Sequence, residues 1–99
     1  MVIIGYLTFP PESANEMGKR LLQQPPLPSY ITLKGHYVSS KAKEGIRSVS
    51  IYEFDQSKFP EAFQFVTTRF TRYYGVPGFT YSVQPWHEAS EALKTLGMG

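Results

Sequence analysis

What most constrains this chain is the order in which its hydrophobic period switches between two residues and about 3.6. Val2 to Phe9 is a run of β-formers with apolar side chains at both parities. Ile4 and Tyr6 fall on one side and Ile3 and Leu7 on the other, which predicts a central strand covered on both faces. Pro10 and Pro11 end it, since neither can donate to a ladder. Ala14, Met17, Gly18 and Leu21 then recur at helical spacing as a core-facing stripe, with Ser13 and Glu16 placed for a capping box. Pro25, Pro26 and Pro28 stop that helix.

Tyr30 to Ser39 alternates as a second strand, with Ile31, Leu33 and Tyr37 on one face and Thr32, Lys34, His36 and Val38 on the other. Its polar side suits a sheet edge. Ser39 to Gly45 is the polar loop of a hairpin, and Ile46 to Asp55 is the third strand. There Val49 and Ile51 oppose Ser48, Ser50, Tyr52 and Phe54. Asp55 or Ser57 caps a second helix whose stripe is Phe59, Phe63, Val66, Phe70 and Tyr73, and Gly75 and Pro77 end it. Phe79 to Trp86 is a fourth strand, and Glu88 to Leu96 a short amphipathic helix. The order is the split βαβ plan of an α+β, ferredoxin-like fold, βαββαβ, in which two helices cover one face of a four-stranded antiparallel sheet. Phe63, Val66 and Phe70 are expected to pack on Ile3, Leu7, Val49 and Ile51.

Ninety-nine residues bury one modest core, so residues 1–99 are read as one domain. Ten basic and eight acidic residues are spread along the chain, which argues against nucleic acid as a partner. With no cysteine there is no disulfide framework, thiolate metal site or thiol nucleophile. No cofactor is expected. The first nine residues lack the charged leader of a signal peptide, and no apolar run approaches membrane-spanning length. A cytoplasmic protein with no membrane partner is the expectation.

If the aliphatic parity of every strand lies under the helices, the other parity forms an uncovered surface. Tyr6, Thr8, Thr32, Lys34, His36, Ser48, Ser50, Tyr52, Ser82, Gln84 and Trp86 would share it. Rings among small polar residues suit a two-fold contact with a second copy, or a ligand pocket walled by rings. The element order, the double-sided strands Val2–Phe9 and Ile46–Asp55, the Pro25–Pro28 joint and the terminal Trp86 segment resemble the dimeric α+β barrel superfamily. That resemblance implies a homodimer made by two associating sheets, with sites in a cavity between sheet and helices. Cofactor-independent monooxygenases, isomerases and haem-handling enzymes share the fold, but none of their catalytic signatures maps onto numbered positions here.

Tyr6, His36, Tyr52 and Trp86 are the candidate ligand-binding residues, lining a site for a small apolar or aromatic molecule. His36 is the candidate for proton chemistry, because histidine exchanges protons near neutral pH. Its plainer reading is an edge-strand histidine bonded to a neighbour. His87 precedes the last helix and reads as a local cap, and two histidines so far apart do not make a metal site. Glu53 and Asp55 could form an acid–base pair and Arg69 and Arg72 could bind an anionic ligand, but the plainer readings are structural charges beside a helix start and a solvated helix flank. RNA-recognition modules share the strand order, but Ser48 and Ser50 stand where their stacked rings belong. The glycine-rich first loop of an acylphosphatase is absent after Phe9.

Overall fold

The computed structural model describes residues 1–98. Strands β1 (Val2–Phe9), β2 (Thr32–Lys41), β3 (Gly45–Glu53) and β4 (Thr80–Trp86) form one sheet in the order β2-β3-β1-β4. Every neighbouring pair is antiparallel. Helices α1 (Ala14–Leu22) and α2 (Phe59–Thr71) lie on one face, and α3 (Ala89–Thr95) follows the last strand. This is the ferredoxin-like arrangement. The β2–β3 hairpin is tighter than the seven-residue loop expected, because β2 runs on to Lys41 and Gly45, at φ +80°, turns the chain.

The core lies between α2 and the inner face of the sheet. Ile3, Ala62 and Val66 are fully buried, and Leu7, Phe70, Tyr73 and Val76 join them, with Phe63 half-buried against the cluster. The stripe read in α2 is therefore the core face, with Ala62 added to it. In the 3-10 turn Gln56–Lys58 that leads into α2, the Asp55 carboxylate accepts the Ser57 backbone N–H at 2.9 Å. Asp55 therefore caps that turn, and α2 itself, with Lys58 at its N-cap position, has no side-chain cap. The Ser57 side chain first, and the bond from its backbone N–H second, hold the Asp55 carboxyl below the usual carboxylate range. A lowered folded pKa stabilises above the unfolded value and is lost as pH falls through the folded one. The Ser57 amide should accordingly exchange faster as pH falls through that range, once intrinsic rates are divided out, and Asp55→Ala should raise its exchange already at neutral pH. Equal protection in the variant would contradict the cap. The Ser13–Glu16 box does not form. Ser13 Oγ instead donates to the Pro77 carbonyl at 2.6 Å, and the capping box is at Glu88 and Glu91 of α3.

Two of the expected strand parities are corrected. Ile3 and Leu7 point inward, and they stand opposite Tyr52 and Ser48. Directly paired residues share a face, so the inner parity of β3 is Ser48, Ser50 and Tyr52, all buried. Val49 and Ile51 therefore face the open side and not the helices. Serines are accommodated inside because the Phe70 ring is laid across Gly5, opposite Ser50. A Cβ on Gly5 would stand 2.3 Å from that ring. In β2 the register slips between Leu33 and Gly35, a bulge that adds one residue at Lys34. The slip turns His36 and Val38 inward, opposite Ser50 and Ser48, and sends Tyr37 outward.

The open face consequently carries a more aliphatic band than expected. Ile51 and Ile4 are paired across strands, as are Tyr37, Val49 and Tyr6 in the next row. Trp86, half exposed, sits beside Val2 at one end.

Candidate functional site

The four residues of α1 read as a core-facing stripe, Ala14, Met17, Gly18 and Leu21, do not pack tightly on the sheet. They line a cavity of about 270 Å³. Only Met17 of the four is buried, and a Cβ on Gly18 would meet no atom within 4 Å. Glycine within a helix costs roughly 0.5–1 kcal/mol relative to alanine. Here it widens the space between helix and sheet and makes no close contact in return.

The opposite wall is α2, which contributes Arg69, Phe70 and, just beyond its end, Tyr73. The floor is the inner sheet face, with Leu7 and Phe9 from β1, Leu33, His36 and Val38 from β2, and Ser48, Ser50 and Tyr52 from β3. The cavity opens along the β2 edge, where Leu33 and Val38 are exposed. Its far end is held by side chains that tie the loop after α1 to α2. Gln24 Nε2 donates to the Arg69 carbonyl at 2.7 Å, and an Arg69 guanidinium nitrogen donates to the Pro25 carbonyl at 3.0 Å. Arg20 adds a bond of 2.6 Å to the Tyr74 carbonyl. The Gln24 Oε1 is buried with no partner.

His36 Nε2 lies 2.9 Å from Ser48 Oγ. The serine orients the ring through one nitrogen, which leaves the other for proton exchange with a bound molecule. Ser48 and Ser50 are among the few buried polar residues. Met17, Phe70 and Tyr73 face that floor across the cavity. The result is a mostly apolar slot with a few polar groups, His36, Ser48 and Ser50 on the floor and Gln24 and Arg69 from the helix side, the usual make-up of a small-molecule site. Among the described residues, no three His, Cys, Asp or Glu side chains converge as a metal site.

The sequence-predicted set is divided by the sheet. His36 and Tyr52 stand together on the cavity floor, whereas Tyr6 and Trp86 are on the opposite, open face. Tyr52, only 4% exposed and facing the helices, cannot meet a second copy through the open face. Ser48, Ser50 and Gln24 were not singled out as site residues, and the solvated-flank reading set Arg69 aside. The available signal was Gly18, a helix-weakening residue in the middle of an apolar stripe.

No family model and no curated protein matches the chain. Solved structures with a similar outline include two of low identity. One is the solution structure of the C-terminal domain of the MgtC protein from Mycobacterium tuberculosis, with a TM-score of 0.46 and 13% identity over 89% of this chain and 92% of that one. The other is a formyltetrahydrofolate deformylase from Pseudomonas putida KT2440, with a TM-score of 0.45 and 12% identity over 87% of this chain. The match covers 29% of the deformylase. No helix of the described residues is long and apolar enough to cross a membrane.

Proposed function

We propose that this protein is a homodimeric small-molecule binder whose ligand enters the cavity between α1, α2 and the inner face of the sheet. The observation that carries the reading is that α1 stands away from buried polar groups it could have covered. Apolar residues at Ser48 and Ser50, and a side chain at Gly18, would fill the space and add stability. The gap instead leaves the Ser48 and Ser50 hydroxyls on its floor as groups that a ligand's polar atoms can meet. Tyr6 and Trp86, on the open face, belong to the dimer contact in this reading. Ile4, Val49 and Ile51 beside them suit packing against a second sheet better than stacking on bases.

The ligand site is tested by chemical-shift mapping with a set of aromatic fragments. Shifts should gather on His36, Ser50, Gly18 and Phe70. Gly18→Leu should keep the fold, improve helix propensity by about 0.5–1 kcal/mol and abolish binding by filling the cavity. Shifts confined to Tyr6 and Trp86, or binding unchanged in Gly18→Leu, would contradict the site. The His36–Ser48 pair favours one further reading, a cofactor-independent oxygenase or isomerase in which His36 moves a proton of the bound molecule. In that case His36→Gln should remove turnover while leaving ligand affinity within a few-fold. A pure binder would turn over no ligand in either form.

A further inference from the structure

The charges around the cavity are of one sign. Arg69 from α2 carries it, and no aspartate or glutamate lines the cavity. Glu16, the acidic residue of α1, is spent on Arg20 at 2.9 Å. Arg69 is half-buried, gives one N–H to the Pro25 carbonyl, and has no carboxylate within ion-pair distance among the described residues. A guanidinium has five N–H donors, so the bond to Pro25 leaves others that could turn to an anion in the cavity that Arg69 lines.

We infer that the ligand is a small aromatic carboxylic acid bound as its monoanion, with the carboxylate on Arg69 and the ring between Met17, Phe70 and Tyr73. The inference rests on the cavity being the ligand site. Its chemistry follows from three features of the slot. The guanidinium fork matches the planar carboxylate and pairs with both oxygens. One arginine balances a single negative charge, and the walls offer little to a doubly charged phosphate. An apolar cavity of roughly 150 Å³ holds one benzene, so about 270 Å³ admits one or two fused rings. An amine of the same shape would bring a second cation beside Arg69.

The probes are 2-naphthoate, 2-naphthol, 2-naphthamide and 2-naphthylmethylamine, titrated at neutral pH and followed by shifts of cavity residues. The naphthoate should bind at least about tenfold more tightly than the amide or the naphthol, as a charge-assisted pair requires, and the amine should not bind. Arg69→Gln should reduce the acid to the affinity of the amide. Since Arg69 also holds Pro25, Arg69→Lys serves as the second variant, keeping the charge without the fork, and should retain part of the preference. Equal affinity for acid and amide in the wild type would overturn the inference and leave the cavity a ligand site. Failure of every probe to shift a cavity residue would overturn both.

Discussion

Replacing Phe70 by alanine should destabilise the protein by about 3–5 kcal/mol, the range for removing a buried ring without collapse of the space it leaves. Phe70 is 4% exposed, lies over Gly5 and stacks on Tyr81 with ring centroids 6.1 Å apart. Gly5 has no side chain to move into the gap, and Ser50 beside it is too short. The hole would join the existing cavity, so ligand affinity should fall with stability. Phe63, on the same helix but only half-buried, should cost less on truncation. Urea denaturation read by circular dichroism decides it. Equal losses for the two variants would mean that the core of α2 is misplaced.

Replacing Ile51 by aspartate should split the proposed dimer. Four strands of about eight residues, spaced 4.8 Å apart with 3.3 Å per residue, present roughly 500 Å². Two such faces together reach the roughly 1,000 Å² that a specific interface needs. Two-fold symmetry places the new carboxylate in the contact twice. An unpaired buried charge costs several kcal/mol, so affinity should weaken by about a thousandfold or more. Sedimentation equilibrium should show twice the 11.2 kDa chain mass for the wild type and a single chain for Ile51→Asp. Leu22→Asp, on a side chain 89% exposed on α1, should leave the dimer intact. A wild type that stays monomeric at about 100 µM, far above the Kd of a stable dimer, would remove the dimer from the account.

The element order was legible because period and punctuation agree at the longest elements. Val2–Phe9 ends at prolines, and the Phe59–Tyr73 stripe follows a turn capped by Asp55 and stops before Gly75. Which face of each strand points inward was less legible. In β3 aliphatic Val49 and Ile51 are the plausible inner residues on hydrophobicity alone. The pairing with Ile3 and Leu7 overrides that preference, because a one-residue shift turns every side chain over. In β2 the bulge at Lys34 leaves no mark in the alternation, so His36 was placed on the wrong side. These two errors fell together, and they kept His36 beside Tyr52, Ser48 and Ser50 on one face. The same errors joined that group to Tyr6 and Trp86, from which the sheet divides it. Arg69 was passed over because helical spacing cannot tell an arginine on the rim of a cavity from one on a solvated flank.

The central claim is that the covered cavity, and not the open face, receives the ligand. The most direct measurement is anomalous diffraction at the bromine edge from crystals soaked in 4-bromobenzoate, beside crystals of Gly18→Leu treated identically. The account predicts a bromine peak enclosed by Met17, Phe70 and Tyr73 in the wild type and none there in the variant. A peak only against Tyr6 or Trp86, or an empty cavity in the wild type, would contradict it.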